Sequence, residues 1–466
     1  MNTRVPRVAR WALGACLLTA TTGLAVGANP FRGLASTADG YHTFDSDMID
    51  VENVTQTGRG VYVAVLDTGL APNWKDYFPQ ARIAEELGKG FHQSVSFKAH
   101  KDECGLGITV GTLRETTFIG SRGSEHGTHV TSTILGFSYR SNFDAVGGYE
   151  IPPIVVRGIA PDVTVIPVKV LADYQVPALP HCDDPDIPKE ASLQVFGTDE
   201  MVAAGINYAT DLAIAGYRPM VINMSLGGSV LDPVEKAALD RAIANGVIVV
   251  AAAGNAGDAG MGFPGAYAPV ISVAAAGWNN SWVDPAETFA PYRMFWLHND
   301  LDFVPPLEAN SGDVPEPTPT NGGQQILDDG TYIANFSSRE LAGQELDLAA
   351  PGVWVRGPFA GFPGYSHLPW WSKGIGDLFS TNPSNFYYVS GTSMATPHVA
   401  AAAAMMLEAD PTLTQSDIED ILTSTAIPIP PGTAGDVQVG FLSQTWGANA
   451  TGAGLLQVDE AIGEIQ

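Results

Sequence analysis

The sequence predicts an α/β fold with a central, mostly parallel sheet flanked by helices. Three observations predict it. Short apolar runs rich in β-branched residues at 61–66, 163–171, 221–226 and 247–253 read as buried parallel strands. Helix-spaced segments at 200–215 and 233–245 fall between them, and strands alternating with helices indicate a parallel sheet. An Ala-rich apolar run from 391 to 409, entered from a strand-like stretch at 386–389, reads as a buried helix. The chain has 466 residues, 45% of them hydrophobic. That is ample for a large core, and no composition break marks a second folded domain.

Taken in order, the chain opens on Arg4, Arg7 and Arg10, then an apolar stretch from 11 to 26 closed by Val26-Gly27-Ala28. This pattern predicts a signal peptide over 1–28 and a secreted protein. No other stretch is long and apolar enough to span a membrane, so no membrane contact beyond the signal is expected. Residues 29–46 form a short polar segment, too small to fold alone. The folded domain is expected over 47–466, with insertions at about 87–120, 137–157, 173–195, 278–332 and 359–385. Residues 87–124 show no clear period and read as loop. The others are irregular or rich in Pro, Asn and Asp.

The net charge of −27 argues against nucleic acid as a partner, because that needs clustered Lys and Arg. Cys16 leaves with the signal. Cys104 and Cys182 remain as an even pair in an exported chain, which predicts a disulfide; two unrelated thiols are the alternative. No Cys/His spacing of metal-site type occurs.

Three residues stand where chemistry is usually placed. Asp67 ends the first buried strand, at the end of a parallel sheet where ligands bind. His126 opens a helical run over 125–136, and Ser393 sits at the N-terminus of the Ala-rich helix, where free N–H groups gather. Alone, each has an ordinary reading: Asp67 as a turn residue, His126 as a satisfied core histidine, Ser393 as a helix cap. Together they follow one of the chain orders in which a Ser-His-Asp triad recurs. A serine hydroxyl is a poor nucleophile at neutral pH and needs a base within reach. Histidine titrates near neutrality, and an acid can hold its useful tautomer.

The local motifs sharpen this. Val65-Leu66-Asp67-Thr68-Gly69, His126-Gly127-Thr128-His129-Val130 and Gly391-Thr392-Ser393-Met394-Ala395-Thr396-Pro397-His398 resemble the three signatures of the subtilisin-like serine proteases, the subtilases. Asn223-Met224-Ser225-Leu226-Gly227-Gly228 is similar to the family's substrate-binding strand, and Ala252-Ala253-Gly254-Asn255 to its oxyanion segment. The resemblance runs from about residue 48 to the C-terminus. It implies a three-layer subtilisin-like fold and a serine endopeptidase that works through an acyl-enzyme. Asp67, His126 and Ser393 form the implied triad, with Asn255 as the oxyanion donor. Ser225, Leu226 and Gly227 are implied to pair with an extended protein or peptide substrate, and with Ala252, Ala253, Gly254 and Gly262 to shape the primary specificity pocket. Those linings are small and apolar, so a large apolar side chain is expected there. No cofactor is needed for the chemistry. Asp76 matches a position that often ligates calcium in the family, although 137–157 replaces the companion loop. A monomer is expected. The rival readings are a narrow processing protease and an inactive binding protein on the same fold. An esterase is disfavoured, since Ser393 lacks a Gly-x-Ser-x-Gly setting.

Overall fold

The structure is a computed structural model that describes residues 33–100, 105–120, 124–139, 154–178, 191–278, 330–359, 385–435 and 443–465, with a few short paired segments between. Nine strands make one sheet. In chain order they are β1 (Tyr62–Asp67), β2 (Lys89–His92), β3 (Arg114–Thr116), β4 (Thr164–Lys169), β5 (Met220–Met224), β6 (Val247–Ala252), β7 (Ile271–Trp278), β8 (Thr331–Ile333) and β9 (Leu348–Pro351). In space the order is β8-β7-β6-β5-β1-β4-β2-β3, with β9 also paired to β7. The central pairs are parallel, and only β3 and β8 join antiparallel. β1 lies in the middle, between β4 and β5, so Asp67 ends a strand buried from both sides.

Helices cover both faces. Along β1, Val63 and Val65 pack into one cluster with α1 (Glu125–Leu135) and α4 (Thr392–Ala409). Ala64 and Leu66 point the other way, against α2 (Asp199–Ile214) and α3 (Pro233–Ala244). Successive strand side chains face opposite sides, so a sheet covered on both needs apolar residues without alternation. That is why these strands read as continuous apolar runs. α4 is buried along nearly its whole length: residues 400–406 have no measurable exposure. Five consecutive alanines there give the backbone a thin profile on every side, suited to a central position.

The insertions carry more order than expected. Residues 87–124 were expected as loop, yet β2 and β3 extend the sheet edge and Val95–His100 pairs antiparallel with Gly105–Val110. The hairpin lies on the surface, with Ile108 and Val110 largely exposed. Val95 and Phe97 alternate with exposed Ser96 and Lys98 and pack half-buried against the core, a period-2 signal that the loop reading passed over. The flanks of 173–195 likewise pair, Ala172–Val176 with Ser192–Phe196. Phe97 meets Phe196 edge-on at 6.4 Å, so the two hairpins touch. Cys104, Cys182, the signal stretch 1–28 and most of 278–332 and 359–385 lie outside the described residues.

Part of the 29–46 segment packs on the domain. Thr37 Oγ1 donates to the Leu135 carbonyl, Tyr41 bridges to Val156, and Phe44 stacks on Trp278. No helix among the described residues is long and apolar enough to cross a membrane.

Candidate active site

Asp67 is fully buried at the C-terminal end of β1. Its Oδ1 accepts the Thr68 N–H at 2.6 Å, and its two oxygens lie 2.8 and 3.0 Å from His126 Nδ1. A carboxylate facing Nδ1 makes that nitrogen the donor and leaves Nε2 as the free base. His126 stands in the first turn of α1, and the helix must approach β1 closely to make this contact. Gly127 allows it: a Cβ there would come 2.5 Å from the Gly69 carbonyl and 3.1 Å from Asp67 Oδ1. The Gly127 N–H also donates to Thr68 Oγ1 at 2.9 Å, which locks the helix start to the strand end. Burial works to lower the His126 pKa. The Asp67 charge, its hydrogen bond and the Glu125 charge outweigh that, and the imidazole is raised above its ordinary value.

Ser393 is the second residue of α4. Its Oγ donates to the Ser225 carbonyl at 3.1 Å, and no hydrogen bond joins it to His126. The local backbone is unusual for a reason. Pro397 has no N–H, so the Ser393 carbonyl loses its helical partner. Ser225 Oγ supplies one instead, donating to Ser393 O at 2.8 Å, while Asn223 Nδ2 donates to Ser225 Oγ at 3.1 Å. Ser225 and Ser393 are thus tied by two reciprocal bonds. The nucleophile candidate and the substrate-strand candidate form one unit.

Asn255 follows β6 and is exposed. The Thr392 N–H and hydroxyl both donate to its Oδ1, at 2.9 and 3.1 Å. Thr392 Oγ1 in turn accepts the Gly254 N–H at 3.2 Å. Two donors on the carbonyl oxygen fix the amide orientation and leave Nδ2 as a free donor beside the Ser393 helix start.

The expected substrate residues form one patch. Gly228 and Phe263 exchange backbone bonds at 2.7 and 2.8 Å, and Gly262 N–H donates to Ala253 O at 2.9 Å. A Cβ on Gly262 would stand 3.9 Å from Gly227 Cα, so the two segments run close together. Ala252 and Ala253 are buried beneath. Ser225, Leu226 and Gly227 also line a cavity of about 430 Å³ that reaches His126; Ala252, Ala253, Gly254 and Gly262 do not. The sequence reading missed three acids in that cavity: Glu125, Asp199 and Glu235. Each lies in the first turn of its helix, where an acid reads as ordinary complement to the helix dipole.

His129 and His398 serve the fold. His129 Nε2 bonds the Val355 carbonyl at 3.1 Å, and burial pushes its pKa down to about 3, so it stays neutral. His398 Nδ1 bonds the Met394 carbonyl at 2.8 Å and Nε2 bonds Asp45 at 3.1 Å. Asp76 ends a short 3-10 turn, Trp74–Asp76. It belongs to no group of three or more acid, His or Cys side chains near enough to share an ion, among the described residues. The Tyr77 carbonyl beside it accepts the Ser138 N–H at 2.7 Å.

A family model described as the subtilase family, peptidase S8, matches residues 58–454. Subtilisin DY of Bacillus licheniformis is 29% identical over 374 residues, which span 79% of this chain and 84% of that protein. Subtilisin E of Bacillus subtilis (strain 168) is 28% identical over 309 residues, 65% of this chain and 51% of its own length. Among solved structures, the S41 psychrophilic protease superposes with a TM-score of 0.50 at 24% identity, over 90% of this chain and 99% of that one. That likeness speaks to the fold alone. The family model covers most of the chain, and the chain belongs to the subtilase family of serine endopeptidases.

Proposed function

We propose that this subtilase is an exported endopeptidase whose triad is Asp67, His126 and Ser393, with Asn255 as oxyanion donor and a preference for large apolar residues at the primary pocket. The observation that carries the reading is the buried Asp67 bonded to His126 Nδ1, at a cleft that Ser225 lines while holding Ser393. In this mechanism Ser393 Oγ leaves the Ser225 carbonyl and turns toward His126. Oγ attacks the scissile carbonyl carbon as its proton passes to His126 Nε2. Negative charge forms on the carbonyl oxygen, where Asn255 Nδ2 and the Ser393 N–H stabilise it. Collapse breaks the C–N bond, and the departing amine takes the proton from His126. Water then repeats the sequence with His126 as base and frees Ser393. Asp67 stays ionised throughout and steadies the imidazolium.

Groups of the chain and one water carry every step, so the proposed chemistry requires no cofactor. Structural calcium near Asp76 is a separate proposal, tested by the melting temperature with and without a chelator. Ser225–Gly227 offers backbone groups to an extended peptide, which adds as a strand. The test is labelling with a fluorophosphonate probe alongside casein digestion. Labelling and digestion that both vanish in Ser393→Ala support the reading. An unlabelled wild-type protein points to an inactive binding protein on the same fold.

A further inference from the structure

The cavity beside His126 has a chemistry that the triad does not use. Its walls are apolar and largely aromatic: Leu226, Phe196, Phe263 and Phe359. Besides Thr68, His126 and Ser225, its polar lining is acidic. Glu125, Asp199 and Glu235 all line it, and no Lys or Arg among the described residues does. Glu235 is 4% exposed, and so is Glu125. Glu235 forms no hydrogen bond or ion pair among the described residues, and Glu125 Oε2 is a buried oxygen without a partner. Buried carboxyl groups are ordinarily paired, since each unmet charge costs several kcal/mol. Burial, reinforced by the neighbouring Asp199 and Asp232, pushes Glu235 up to about 7. Burial likewise raises Glu125 to about 7. Among the described residues, Glu235 has no cation beside it within the substrate cleft, and Glu125 has only the neighbouring His126.

We propose that this cavity is a subsite for a basic side chain, arginine or lysine, of the peptide substrate, with Glu235 as its principal anion and Glu125 and Asp199 beside it. The proposal rests on the peptidase reading above and deepens it. The position served differs from the one at the primary pocket, because Ala252, Ala253, Gly254 and Gly262 do not line this cavity. An arginine suits it on three counts. Its aliphatic stem lies against Leu226 and the phenylalanine walls. Its guanidinium can stack on an aromatic face. Its five donors satisfy carboxylate oxygens that have none. The volume of about 430 Å³ falls in the range of ligand sites, about 300–1,000 Å³.

The experiment uses the full protein and fluorogenic peptides with an apolar residue at the cleaved bond. Arginine is set against citrulline, its neutral near-isostere, at each flanking position in turn. The expected result is one position where the arginine-to-citrulline ratio of kcat/KM is about tenfold or more. In Glu235→Gln that ratio should fall toward 1, whatever the change in the two rates themselves. Asp199→Asn, at an exposed rim position, gives a second variant less prone to misfolding and should lower the ratio partway. A wild-type ratio near 1 at every position, or a ratio unchanged in Glu235→Gln, overturns the subsite while leaving the peptidase intact. Absence of both cleavage and fluorophosphonate labelling overturns the peptidase reading and the subsite with it.

Discussion

Thr392 holds Asn255 by its carbonyl oxygen, with the backbone N–H at 2.9 Å and the hydroxyl at 3.1 Å. The residue next to the nucleophile candidate therefore sets the direction of the amide proposed as oxyanion donor. Replacing Asn255 by Ala should lower kcat by about 10²–10³, the loss known for an equivalent donor in subtilisin, with little change in KM. Thr392→Val should do part of this without touching Asn255, since it removes the hydroxyl and leaves the N–H. Steady-state kinetics on a peptide substrate check both. An unchanged kcat in Asn255→Ala would remove that residue from the mechanism.

His126 and Asp67 give a pH prediction. The base must be neutral to accept the serine proton, and Asp67 helps raise the imidazole from 6.5. The acid limb of kcat/KM should therefore lie above pH 6.5. Asp67→Asn removes the charge and leaves the burial, which acts in the opposite sense. The limb should move to lower pH while kcat falls about 10⁴-fold, as tautomer control is lost. A pH profile of both proteins reads the two effects separately.

Much of this was legible because the chemistry sits inside rigid elements. β1, β5, β6 and α4 are apolar on every side, so their composition alone marked them, and Asp67 and Ser393 stand at their ends. The acids of the cleft were not legible. Glu235 and Asp199 belong to α3 and α2, distant in sequence, and only the packing of these helices brings them to one cavity. Asp45 is a similar case. A lone acid in a polar stretch gives no hint that it bonds a histidine 353 residues away.

That contact makes the third prediction. Asp45 and His398 are both buried, and the pair ties the N-terminal stretch to the middle of the nucleophile helix. Asp45→Ala strands His398 Nε2 in the core, at a cost of about 1–3 kcal/mol. The melting temperature should fall, and Asp45→Asn, which keeps an acceptor, should recover part of the loss. Equal stability of all three proteins would mean that the contact carries no weight.

The two hairpins joined through Phe97 and Phe196 lead into stretches that contain Cys104 and Cys182. A disulfide between them would clamp one wall of the cleft. Mass spectrometry of the protein after alkylation should find both cysteines unmodified without reductant and both modified with it. The expected stability gain is about 2–4 kcal/mol. Alkylation of either thiol in the unreduced protein would exclude the bridge.

Glu345, Asp347 and Glu419 crowd together where α5 (Gln415–Thr425) meets the sheet. Burial pushes Asp347 up to about 6, even though Ser272 donates to it through N–H and Oγ. Burial, then the charges of Asp347 and Glu345, raise Glu419 to about 7. Both folded values exceed those of the unfolded chain, so the folded state holds its protons more tightly. Its advantage is therefore full below about pH 4 for these groups and declines as pH rises through 6 to 7. Glu419→Gln removes one of the competing charges, and its melting temperature should fall less than that of the wild type between pH 5 and pH 8. A divalent cation that bridged the cluster would oppose the same decline, so the comparison belongs in chelator. Parallel pH curves for the two proteins would show that α5 docks without regard to these charges.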